Sequence, residues 1–170
     1  MEFIGDKLMK LAHIMLLSAL LIVGKVVYAA EDRNYHMGFC EVDTSSTFYS
    51  SNFFKSIGAI YNNSTTQEMR VVCPIMRVLQ GTTVASVVSV VDYHSTIDAS
   101  CYLYAVQSSG TGASGRVAYS SGASATYQEV NIAAIPASGT PWRDAYLYCI
   151  IPRRDGFNTS KFLRYRITEN

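Results

Sequence analysis

Cys101-Tyr102-Leu103-Tyr104 and Tyr146-Leu147-Tyr148-Cys149 read as one sequence and its reverse. Laid side by side in opposite directions, they set Cys101 against Cys149, Tyr102 against Tyr148, Leu103 against Leu147 and Tyr104 against Tyr146. Successive side chains of a strand alternate between faces, so the cysteines and leucines fall on one face and the tyrosines on the other. Cysteine and leucine suit a core, whereas tyrosine suits a half-wetted sheet surface. The pairing predicts an antiparallel sheet closed by a Cys101–Cys149 bridge, with Cys40–Cys73 as the remaining pair. The same inward-facing cysteines would also fit a bridge between two packed sheets, and the sequence leaves that choice open.

The rest of the chain has the same texture. Short apolar runs predict strands over 56–61, 69–76, 83–93, 100–107, 116–120, 127–132, 145–152 and 162–168, separated by Asn62-Asn63-Ser64, Gln80-Gly81, Gly110 to Gly115, Ser121-Gly122, Ser138-Gly139 and Asp155-Gly156. Val84, Val87, Val88, Val90 and Val91 are too β-branched for a comfortable helix and apolar on both faces, which predicts a central strand. Leu163, Tyr165 and Ile167 alternate with Arg164, Arg166 and Thr168 as a dry and a wet face. About eight strands with Gly, Ser and Asn turns and two bridges predict an all-β fold, an antiparallel β-sandwich of Greek-key or jelly-roll type. Residues 31–51 read as a polar segment held by Cys40, and Ser108 to Gly122 as a flexible hairpin or edge loop.

The first 29 residues read as a cleaved secretory signal peptide. Lys7 and Lys10 precede an apolar run over 11–23, and Val27-Tyr28-Ala29 supplies small residues for cleavage after Ala29. The run is shorter than the ~20 residues that a membrane-spanning helix needs. Residues 30–170 are then a single domain with no membrane span, secreted or periplasmic, where four cysteines are expected to pair. The chain has 14 Lys and Arg against 13 Asp and Glu; the leader takes Lys7, Lys10, Lys25, Glu2 and Asp6, which leaves the mature part formally neutral. Neutrality argues against a nucleic-acid partner, which requires a clustered positive field. Arg153-Arg154 is a local basic cluster diluted by Asp155.

The candidate sites are few. Gly110-Thr111-Gly112-Ala113-Ser114-Gly115 fits a dinucleotide fingerprint by letter, but strand-like sequence follows where that fingerprint needs a helix N-terminus. Asp92-Tyr93-His94-Ser95 brings together an acid, a base and a hydroxyl, so a small hydrolase using His94 with Asp92 or Asp98 is one alternative. The competing reading is a polar turn in which Asp92 and Ser95 bond nearby amides, since triad members normally converge from separate elements. His36 with Cys40 would be a soft-metal pair only if Cys40 were free, and Asp43, Asp92 and Asp98 match no known calcium loop. Hence no metal and no cofactor is expected. Tyr102, Tyr104, Tyr146, Tyr148 and Trp142 form the candidate binding surface, Trp142 having a competing role as a plug at the core edge. Asn62, Asn63 and Asn158 head glycosylation sequons and predict surface loops.

Gly58-Ala59-Ile60-Tyr61-Asn62, Val72-Cys73-Pro74-Ile75, Tyr148-Cys149-Ile150-Ile151-Pro152 and Tyr165-Arg166-Ile167-Thr168-Glu169 resemble the layout of small exported bacterial all-β proteins, a family of uncharacterised function. The resemblance implies export, two bridges and a sandwich, and carries over no catalytic residue. Together these readings point to an exported, non-enzymatic binding or structural module with a protein or glycan partner. It could also self-associate through an edge strand within an extracellular or envelope assembly. A secreted inhibitor or effector presenting the Ser108 to Gly122 loop is the other alternative.

Overall fold

The structure is a computed structural model that describes residues 30–43, 53–56, 58–76, 83–107, 109–110, 112–137 and 142–170. The leader and its cleavage position lie outside them. Among the described residues, two antiparallel sheets face each other. The first contains β3 (Phe53–Ser56), β4 (Ala59–Asn62), β11 (Lys161–Glu169), β6 (Val84–Val91) and β9 (Gln128–Ile135) in that order, with β1 (Glu31–His36) also on β11. The second runs β2 (Glu41–Val42), β5 (Met69–Ile75), β10 (Trp142–Ile151), β7 (Ser100–Gln107) and β8 (Ala113–Tyr119). Only β3–β4 and β7–β8 join neighbours in one sheet; the connections from β4 to β7 and from β8 to β11 each cross between sheets, as in a jelly roll.

The Cys101 to Tyr104 segment pairs with Tyr146 to Cys149 in the expected register, residue for residue. Both bridges form, Cys101–Cys149 and Cys40–Cys73, each with Cα atoms 4.1 Å apart. Cys101–Cys149 joins paired residues of β7 and β10, and Cys40–Cys73 joins the residue just before β2 to β5, so neither bridge ties the sheets to each other. All four cysteines are fully buried. They face Ile60, Val88, Val90, Val130, Phe162, Tyr165 and Ile167 from the first sheet across a common core. β6 is central, between β11 and β9, as its valines require.

The structure differs from the sequence expectation in several places, among them the expected 56–61 strand, which is divided between β3 and β4. Glu31–His36 and Glu41–Val42 are strands rather than a polar tail. β1 has one large apolar residue and little hydrophobic alternation, and its ladder with β11 is completed by Tyr35 stacking on Tyr165 at 4.8 Å. Within the Ser108 to Gly122 segment, β8 is an edge strand that begins three residues before the expected 116–120 strand, and Gly115 leaves room there for the Tyr104 ring. Among the described residues, Gly110, with φ +72°, and Gly122, with φ +80°, keep a turn character on either side of the strand, and Gln107 N–H donates to Gly112 O at 2.8 Å. In β11 an irregularity between Phe162 and Arg164 turns Phe162 into the core and leaves Leu163 half-buried. Asn62 is 1% exposed, so it is not a surface sequon. Its amide nitrogen lies 2.9–3.1 Å from the carbonyls of Gln67, Ile151 and Pro152, joining the end of β4 to the end of β10 across the sandwich. Asn63 and Asn158 are exposed.

A second tie between sheets is Tyr165, whose hydroxyl donates to Pro74 O at 2.8 Å. Burial pushes its phenol well above the ordinary value, and burial also raises Tyr148. A phenol harder to ionise when folded contributes stability below the unfolded value near 10, and that contribution is lost as pH rises beyond it. Tyr165→Phe is therefore expected to cost about 1 kcal/mol at neutral pH. It should also shallow the loss of stability above about pH 10. Urea unfolding of both proteins across that range checks this; identical alkaline slopes would contradict it.

Candidate functional site

The outer surface of the second sheet is built in rows by strand register. Val72, Tyr148, Tyr102 and Val117 form one row across β5, β10, β7 and β8, and Pro74, Tyr146, Tyr104 and Gly115 the next. Tyr104 and Tyr146 stack with centroids 5.0 Å apart, Tyr102 and Tyr104 stack at 6.1 Å, and Tyr102 meets Tyr148 at a tilt, also at 6.1 Å. These four rings make one aromatic surface over two central strands. They are half-buried by each other, with Tyr146 the most open at 36%.

Gly115 is part of this geometry. A Cβ there would come within 3.0 Å of the Tyr104 ring, so the absence of a side chain lets that ring lie over β8. The surface continues to Val117 and Tyr119, which are 41% and 59% exposed. Sequence reading placed both in the expected 116–120 strand but did not count them with the tyrosines; the signal was the alternation of Val117 and Tyr119 with Arg116 and Ala118. Trp142 does not join the tyrosines. It is buried, donates its indole N–H to Pro136 O at 2.9 Å and plugs the core edge.

The acid–base–hydroxyl cluster has a different geometry from a triad. Asp92 is fully buried and accepts the backbone N–H of His94, not its imidazole, at 3.0 Å. Its other partners are Ser160 Oγ at 3.2 Å, the Ala99 amide at 2.8 Å and Ser120 Oγ at 2.6 Å. His94 is buried, and its Nδ1 accepts the amides of Thr96 and Ile97. Ser95 donates its hydroxyl to Asp155 at 2.7 Å, and that bond is the leading cause holding the Asp155 carboxyl below its usual range. Asp98 accepts the Gly122 amide. These groups hold turns together, as the competing reading expected for Asp92; Ser95 bonds a carboxylate instead of an amide.

Cys40 is bridged and offers no thiolate, so His36 with Cys40 is not a soft-metal pair. Among the described residues no group of three or more His, Cys, Asp or Glu could hold a metal ion, and no helix is long and apolar enough to cross a membrane.

No protein-family model and no curated protein matches the chain. Among solved structures, a xylan-binding module described as CBM15 superposes with a TM-score of 0.52 at 15% identity, over 83% of this chain and 97% of the module. A cyclase from Fischerella sp. TAU aligns over 87% of this chain and 78% of its own at 10% identity, with a TM-score of 0.47. At these identities the xylan-binding module shows a shared β-sandwich fold; the cyclase likeness is too distant to support an argument. The chain is thus similar to a carbohydrate-binding module in architecture, an architecture it fills with its own residues.

Proposed function

We propose that this protein is an exported, non-enzymatic binding module that holds a polysaccharide on its tyrosine surface. The observation that carries the reading is the continuous run of half-open rings, Tyr102, Tyr104, Tyr146 and Tyr148, on the outer face of one sheet. Rigid phenol rings offer an apolar face to the C–H side of a sugar and a hydroxyl to its oxygens, at low entropic cost. Two buried bridges suit an oxidising compartment outside the cytoplasm and stiffen the strands that present the rings. The sandwich likeness to a xylan-binding module favours a glycan over a protein as partner.

Affinity electrophoresis against a panel of neutral plant and bacterial polysaccharides tests this. Retardation by at least one polymer is expected, weakened about fivefold by Tyr146→Ala and more by Tyr104→Ala with Tyr146→Ala, at ~1 kcal/mol per ring. Binding that survives the double substitution would move the site elsewhere. Absence of binding to every polymer would end the glycan reading, and sedimentation that rises with concentration would then favour pairing through the β8 edge.

A further inference from the structure

The other outer face has a different chemistry. On the first sheet, β6 turns the small residues Ala85, Val87 and Ser89 outward, flanked by Arg164 and Arg166 on β11 and by Glu129 and Asn131 on β9. Short side chains between long ones leave a cleft of about 160 Å³ lined by Asn34, Val87, Ser89, Glu129, Arg164 and Arg166. Arg164 reaches Ser89 Oγ at 3.4 Å, and among the described residues the Arg166 side chain makes no hydrogen bond or ion pair. The cleft is held to its shape by the central strands β6 and β11 and does not depend on loops.

Arg164 and Arg166, two residues apart on one strand face, outnumber the single carboxylate of the lining, Glu129 on β9, so the cleft keeps a net positive charge. A carboxylate is the matching group, because each guanidinium presents a planar fork of donors. The remaining lining decides what carries that carboxylate. Asn34 and Glu129 can exchange hydrogen bonds with neutral hydroxyls, and Val87 is the one apolar contact. An acidic peptide would bring carboxylates on flexible side chains and no neutral hydroxyls, whereas a sugar acid brings a carboxylate and hydroxyls on one rigid ring.

We propose that this cleft is a second binding site, for a uronate unit of an acidic polysaccharide, on the face opposite the tyrosines. It stands on the arginine cleft alone and would hold even if the tyrosine surface bound nothing. The probe is oligogalacturonate, with its carboxyl-reduced form and poly-glutamate as comparators, measured by calorimetry on the mature protein. Oligogalacturonate is expected to bind with an affinity that falls as salt is raised. Arg164→Ala with Arg166→Ala should weaken it at least about tenfold, while Tyr104→Ala with Tyr146→Ala leaves it unchanged. Both arginines are exposed, so the double variant should keep its circular dichroism spectrum. Equal binding of the carboxyl-reduced polymer, tighter binding of poly-glutamate, or no binding of oligogalacturonate would each overturn the proposal. The comparator arms need no variant, so a misfolded substitution would not protect it.

Discussion

Asp92→Ala should lower the stability of the domain by about 4 kcal/mol, because several buried donors lose their acceptor at once and each stranded group costs ~1–3 kcal/mol. The carboxylate takes hydrogen bonds from the His94 and Ala99 amides and from the Ser120 and Ser160 hydroxyls. Those partners come from the end of β6, the start of β7, the end of β8 and the start of β11, so one side chain joins both sheets at one end of the sandwich. Ser160 also accepts the Tyr93 amide, and Ser120 the Ala99 amide, which makes the cluster a network. Ser120→Ala and Ser160→Ala should therefore cost less singly than Asp92→Ala and be non-additive with it. Asp92→Asn should fall between wild type and alanine, since its NH₂ group would point a donor at donors. Urea midpoints at constant slope read all of these. A loss below about 1 kcal/mol for the alanine variant would mean that water replaces the carboxylate, and the clasp would be dismissed.

The Cys101–Cys149 bridge carries the second large effect. Its removal by Cys101→Ala with Cys149→Ala releases a loop of 48 residues in the unfolded chain, worth about 4 kcal/mol in the chain-entropy account. The sulfurs are also fully buried beside Leu103 and Leu147, so some packing goes with them. Cys40–Cys73 encloses a similar separation of 33 but fastens β2, a two-residue strand at the sheet edge. Its loss should appear as faster amide exchange near β2, with the centre of the sheet still protected. Denaturant unfolding of each double variant, with hydrogen exchange resolved by strand, distinguishes the two patterns. Equal loss of protection throughout the second sheet in both variants would refute the asymmetry.

The two effects differ in how visible they were from the residues alone. The bridge follows from a reversed motif: opposed, alternating Cys-Tyr-Leu-Tyr segments carry their own register, because a slip by one residue would place tyrosine in the core. The clasp could not be read that way. Asp92 and His94 are close in sequence, but Ser120 and Ser160 are remote, and which strand ends meet at one end of a sandwich depends on strand order. The same holds for Trp142, whose turn position suggested either surface or core until Pro136 O proved to be its partner. The tyrosine rows were half legible: the four rings followed from the motif, while Val117 and Tyr119, inside the expected 116–120 strand, needed β8 to be placed beside β7.

By itself, the amino-acid sequence determined the all-β character, both bridges, the β7–β10 register and the shared face of four tyrosines, since these depend on alternation within short segments and on the pairing of four cysteines. Tertiary structure alone decided that the bridges lie within one sheet, that β1 and β2 join the two sheets, that Asp92 and Asn62 join strand ends, and that Arg164 and Arg166 border a cleft. Each of those facts requires knowing which distant strands are neighbours. Neighbour choice is set by how two whole faces bury each other, a property no local pattern contains.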